Sequence, residues 1–293
     1  MQENKLNVKS SALCWVVGFL CAQLMAAVVL SLVIVFSANS GADAESVSQL
    51  LKTDVGILIS ALAMDVTFVL IALLFNRKKN NQMFKKPTVK KVLFYILVAV
   101  VVFFMLAPIV NCFTEMLKGF GYVPNEIKVD NYWLGLISLV ILPAVAEEIF
   151  MRGVIFKGLK PYGKLFSVLI CAVMFAVFHV SLDQLLYPFL MGILLSSIMY
   201  FEDNVTYTIL VHLINNLLAL TTEYFGINLF VNSWWFVVLA IILMAIFVGA
   251  LLYMLIKKNK PTKQASLIKI DWLCLGGSFL IMIIFWVVSS INI

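Results

Sequence analysis

Charge is scarce in this sequence. Only 12% of its 293 residues are Asp, Glu, Lys or Arg, whereas 63% are hydrophobic. Soluble domains sit near a quarter charged and half apolar, so a soluble globular protein is excluded. No polar stretch is longer than a loop, which excludes a separate aqueous domain. The net charge of +6 would suggest nucleic acid in a soluble chain, but here it sits in short loops between apolar runs, and no nucleic-acid partner is expected. Cysteine is sparse and unpatterned. Cys14, Cys21, Cys112, Cys171 and Cys274 make an odd set without a CxxC pair, so neither a disulfide framework nor a zinc ribbon is expected. They read as small apolar packing residues. Internal repeats and low-complexity tracts are missing, which speaks against a transporter built from duplicated halves. Histidine is as rare as arginine, with His179 and His212 as the whole complement.

What is abundant is long apolar sequence. Runs of roughly 20 such residues cross a bilayer as helices. Nine are read, at about 11–37, 55–75, 91–113, 132–153, 165–181, 184–201, 204–222, 234–256 and 272–291. Three of them, from 165 to 222, are short and tightly joined, leaving eight or nine spans. Strand-like alternation is missing, so the expected fold is all-α, a polytopic transmembrane helix bundle. Of the 21 lysines and arginines, only Lys52, Lys118 and Lys128 fall in the loops opposite the N-terminal side. The positive-inside rule then puts the N-terminus in the cytoplasm. Basic residues inside therefore include Lys5, Arg77, Lys78, Lys79, Lys258, Lys260 and Lys263. The first run is too long for a signal-peptide core and is expected as a retained anchor. "GVIFKGLKPYGK" (153–164) reads as an interfacial helix ended by Pro161 and Gly163.

Ionisable groups within membrane spans are functional candidates by default, because burying them is costly unless they are paired or wet. They number six: Asp65, Glu147, Glu148, Arg152, His179 and His212. Residues four apart share a helix face, so Glu148 and Arg152 can pair. Glu147 points elsewhere, has no local cation, and is the candidate general base. His212 and Asn216 share another face and could donate hydrogen bonds to an oxyanion. Interhelical hydrogen bonding is the alternative role for that pair. Phe175 lies four residues before His179 and could orient its ring. Asp183 falls beyond the span end and receives no catalytic role. Asp65 has no motif around it.

Taken in order, Glu147-Glu148-xxx-Arg152, Phe175-xxx-His179 and His212-xxx-Asn216 resemble the pattern EExxxR, FxxxH, HxxxN/D. This is the pattern of the CAAX protease and bacteriocin-processing (Abi) family of intramembrane proteases, which includes the type II CAAX prenyl endopeptidases. The similarity covers about 139–222. Met151 departs from it, since the family often has an aromatic residue before the arginine. The resemblance implies that Glu147 and His179 activate water, that His212 and Asn216 stabilise the oxyanion, and that Glu148, Arg152 and Phe175 support them. It also implies convergence of residues that the assumed boundaries place at different depths, with His179 nearest the outer side.

Together these readings divide the chain into N-terminal spans (1–130), a catalytic core (131–222) and C-terminal spans (223–293). The expected function is an intramembrane endopeptidase acting on a membrane-associated peptide or protein, in contact with membrane lipid, in a bacterial plasma membrane. The alternative is a non-catalytic partner or bacteriocin-immunity protein that keeps the protease fold. No cofactor is expected. If a metal were present it would be Zn2+ on Glu147, His179 and His212, although the HExxH arrangement is missing.

Overall fold

The computed structural model describes residues 6–41, 43–76, 82–124, 128–227, 234–257 and 268–291. Among them all regular structure is helical. The helices are α1 (Val8–Asn39), α2 (Ala44–Lys52), α3 (Asp54–Asn76), α4 (Val89–Gly119), α5 (Tyr132–Tyr162), α6 (Lys164–Phe178), α7 (Leu186–Glu202), α8 (Val205–Tyr224), α9 (Trp234–Lys257) and α10 (Lys269–Ile291). Each apolar run corresponds to one helix, and α2 is an added short amphipathic piece capped by Asp43. Seven of the helices are long and apolar enough to cross a bilayer, while α6 and α7 are shorter. The all-α polytopic bundle read from composition is therefore what forms. Of the basic residues assigned to one side, Lys5, Arg77, Lys78, Lys79, Lys258, Lys260 and Lys263 lie outside the described residues.

Helix α5 is central, and it is not a uniform α-helix. It carries two π-helical segments, Leu136–Ile141 and Met151–Ile155, on either side of the α-helical stretch Leu142–Phe150. Such insertions are rare and concentrate at functional sites. Pro143 explains the first. A proline has no N–H for the previous turn, and its ring crowds the carbonyl four residues back, here Leu139. The stretch 153–164 is not an interfacial helix. It continues α5, with Val154, Ile155, Phe156 and Leu159 fully buried, and ends in a 3-10 turn where Gly163 takes φ +114°.

Two packed clusters flank α5. On one side, Phe68 of α3, Phe150 of α5 and Phe178 of α6 meet with ring centroids 4.9–5.9 Å apart, and Phe19 of α1 adds a contact at 5.5 Å. Helix α10 closes this side through Trp15–Phe279 and Phe19–Phe285, each at 5.0 Å. On the other side, α4, α7, α8 and α9 bury Leu106, Leu195, Tyr207 and Met244. Lipid is as apolar as these side chains, so close van der Waals fit, not expulsion from water, favours such contacts. Gly192 of α7 illustrates the fit: a Cβ there would lie 2.8 Å from the Ala172 Cα of α6.

Helix α6, which carries His179 at its end, is short. Its 15 residues span about 22 Å at 1.5 Å per residue, short of a ~30 Å hydrocarbon core. It stops at Phe178, with His179 as its C-cap, rather than at the assumed 181. Val180 then turns the chain with φ +51°, a left-handed conformation costly for a β-branched residue. Ser181 and Tyr122 both donate to Asp183, the latter over 2.8 Å, and secure the turn.

At the opposite end of α7, Asp203 adopts φ +49° and accepts hydrogen bonds from Lys85 (2.7 Å) and Lys160 (2.8 Å). Partial burial pulls its carboxyl upward, but these two lysines outweigh it and hold the group below the usual aspartate range. The segment before α4 is stitched to the same turn, with Asn204 accepting from the Lys85 N–H and donating to the Lys85 carbonyl.

Candidate active site

The middle of α5 presents Glu147 and Glu148 on different faces, as adjacent helical residues must be. Glu148 is fully buried and is the hub. Its Oε1 accepts from Arg152 Nη1 at 2.7 Å and from His212 Nδ1 of α8 at 3.0 Å. Arg152 is fully buried as well, so the ion pair lies wholly out of solvent. Its guanidinium carbon stands 4.3 Å above the Phe175 ring, giving the cation a second favourable surface.

Phe175 also touches both histidines edge-on, His179 at 5.0 Å and His212 at 5.9 Å between ring centroids. Residues from the three sequence motifs thus meet around one aromatic ring. His179 Nδ1 is 2.8 Å from the Phe175 carbonyl. A carbonyl only accepts, so Nδ1 carries the hydrogen and Nε2 is left for other partners. His212 has the same asymmetry, with its Nδ1 given to the Glu148 carboxylate.

Asn216, one helical turn beyond His212, donates from Nδ2 to the Leu139 carbonyl at 3.1 Å. This is the carbonyl that Pro143 cannot serve. The asparagine therefore replaces a missing helix donor and ties α8 to the first π segment of α5. An amide nitrogen carries two hydrogens, so one remains for the site. Its neighbour Asn215 points into α4, donating to the Ala99 carbonyl at 3.2 Å and to Val211 at 3.0 Å.

Glu147 has a different environment. Its Oε2 is buried without a hydrogen-bond partner. Asp65 of α3 and the Tyr187 phenol of α7 lie within electrostatic range of it. The Tyr187 hydroxyl is likewise buried and unpartnered. Three features escaped the sequence reading. The Glu148–His212 bond joins residues 64 positions apart, Tyr187 carries no motif, and the Asn216–Leu139 bond depends on a proline whose consequence lies in another helix. Pro143 alone offered a signal.

Among the described residues, no three His, Cys, Asp or Glu side chains are grouped to hold a metal ion. The set Glu147, His179 and His212 is not so arranged. An apolar crevice of about 640 Å3 between α4 and α9, lined by Val100, Phe104, Leu239 and Leu243 among others, lies apart from these residues.

Residues 129–218 match the protein-family model described as Rce1-like, type II CAAX prenyl endopeptidase. The matched segment holds Glu147, Glu148, Arg152, Phe175, His179, His212 and Asn216. No curated protein and no solved structure matches the chain.

Proposed function

We propose, from the family that residues 129–218 match, that this chain is a CAAX-type intramembrane endopeptidase. The observation that carries this reading is the buried chain Arg152–Glu148–His212, which holds one histidine by Nδ1 with a second histidine against the same Phe175 ring. Segment 131–222 is then the catalytic core, and the flanking helices embed it. The substrate is a membrane-associated peptide or protein. The lysine-rich end of the bundle, with Lys85, Lys91, Lys157 and Lys160, faces the cytoplasm of a bacterial plasma membrane by the positive-inside rule.

In this mechanism Glu147 takes a proton from water, oriented with the help of His179 Nε2, and the water oxygen bonds to the scissile carbonyl carbon. The resulting oxyanion accepts a hydrogen bond from Nε2 of His212, whose ring Glu148 holds by Nδ1, and another from the second Asn216 hydrogen. Donors aimed at such an oxyanion are worth about 3–4 kcal/mol each. Collapse breaks the C–N bond, and Glu147 returns its proton to the leaving nitrogen. The chemistry uses no metal. Arg152 touches no reacting atom and keeps Glu148 ionised and fixed.

The test is cleavage of membrane-tethered peptides by reconstituted protein. Glu147→Ala and His212→Ala are expected to lose activity by about two orders of magnitude or more. A strong chelator is expected to leave the wild-type rate unchanged. Equal cleavage by all three proteins would remove the mechanism, and no cleavage by any of them would favour a non-catalytic partner. A chelator-sensitive rate restored by zinc would replace the metal-free chemistry.

A further inference from the structure

Asp65 is buried near the middle of α3, with no motif around it in the sequence. The fold supplies one. Helices α3 and α5 start side by side, because the Asp54 carboxylate at the beginning of α3 accepts from the N–H groups of Asp130 (3.1 Å) and Asn131 (2.5 Å) just before α5. They stay together further along, where the Phe68 and Phe150 rings are 5.2 Å apart. The two helices therefore run parallel. Three residues before Phe68 is Asp65, and three residues before Phe150 is Glu147. Positions three apart occupy one helix face. The two carboxyls accordingly stand at the same height on facing sides, one turn from the phenylalanine contact.

Among the described residues, the charged and titratable groups acting on Glu147 include Asp65 from α3, Tyr187 from α7, and Glu148 with Arg152 from its own helix. Arg152 is already engaged with Glu148, and α3 brings no lysine or arginine to this level. Two neighbouring carboxylates out of water cannot both be ionised, and a carboxyl–carboxylate hydrogen bond is short and strong.

We propose that Asp65 is a positioning residue for Glu147, the two sharing one proton in a carboxyl–carboxylate pair that fixes the orientation of the base. This rests on the proteolytic reading only for its consequence. When Glu147 takes a proton from water the pair goes from one proton to two, and it returns to one when the leaving nitrogen is protonated.

The pair can be tested without cleavage. Dicyclohexylcarbodiimide modifies membrane-embedded carboxyls that carry a proton, and mass spectrometry locates the adduct. In reconstituted full-length protein at neutral pH, the adduct is expected on Glu147 or Asp65. In Asp65→Asn, labelling of Glu147 is expected to fall about tenfold, the factor corresponding to ~1.4 kcal/mol of lost interaction. Asp65→Glu is expected to keep the labelling, which separates loss of the proton from loss of the fold. Absence of the adduct from both residues in wild type, or equal labelling of Glu147 in Asp65→Asn, overturns the pair. In cleavage assays Asp65→Asn is expected to lower kcat with little change in KM, and Asp65→Glu to recover most of it. If wild type labels as expected but cleaves nothing, the protease reading falls while the pair stands.

Discussion

Replacing Glu148 with leucine isolates the energetics at the centre of the bundle. The substitution roughly conserves volume, so its main effect is electrostatic. It leaves Arg152, fully buried, without the carboxylate 2.7 Å from its Nη1. Removing one member of a buried ion pair costs about 3–5 kcal/mol, because the survivor stays desolvated and uncompensated. His212 also loses the acceptor of its Nδ1 hydrogen, which adds ~1–3 kcal/mol for a buried donor left unmade. Replacing both members, as Glu148→Leu with Arg152→Met, removes the first cost and keeps the second. The double variant should therefore be more stable than the single variant by about 3 kcal/mol or more. Reversible unfolding in detergent micelles, followed by tryptophan fluorescence, measures the difference. Activity should not follow stability: His212 remains unanchored in both variants, so both should cleave far more slowly than wild type. A double variant no more stable than Glu148→Leu alone would refute the claim that an uncompensated Arg152 carries the cost of the single substitution.

Asn216→Ala should cost about 1–3 kcal/mol, since the Leu139 carbonyl loses its donor. Adding Pro143→Ala, which supplies a backbone N–H in the same region, should recover part of that stability without restoring cleavage; simple additivity in the same unfolding assay would disprove the link. Gly192→Ala forces a Cβ against the Ala172 backbone and should destabilise by about 1–3 kcal/mol. Because α6 carries Phe175 and His179, its cleavage rate should fall too, and an unchanged rate would show that α6 does not need close packing on α7. Asp203 gives a pH dependence of defined sign. Its folded carboxyl is lowered by Lys160 and Lys85 despite partial burial, so its stabilisation is complete above the unfolded value of about 4 and is lost as pH falls through the lower folded value. Asp203→Asn should flatten the acid limb of the unfolding midpoint below about pH 4. An identical acid limb in wild type and variant would assign it elsewhere.

Composition and local spacing carry far in this chain. An apolar share of 63% leaves a bilayer as the only solvent in which the sequence can expose its side chains, and only helices or closed barrels satisfy the backbone there. The nine apolar runs therefore mark seven long and two shorter apolar helices, and the four-residue spacing of Glu148 and Arg152 marks their pairing, because an i,i+4 contact is a property of one helix. The same local logic fails where a helix departs from regularity. Nothing local to 153–164 distinguishes an interfacial segment from the buried end of α5, since the difference lies in what packs against it: Val8, Ser11 and Ala12 of α1, and Met83. The end of α6 at Phe178 was equally hidden, because apolar sequence continues through Val180 while the left-handed turn there is held by Tyr122 and Asp183.

The sequence by itself determined that the chain is a helical membrane protein with three short motifs in order. Those properties come from hydropathy and from periodicities of a few residues. Only the tertiary structure decided which partners those motifs meet. Glu148 binds a histidine 64 residues away, Asn216 serves the carbonyl that Pro143 leaves unserved, and Asp65 stands level with Glu147 because two parallel helices start together. The physical reason is one of range. Helix geometry fixes contacts within a turn or two, whereas side-chain packing and proline-induced changes of helical register set which faces of distant helices coincide.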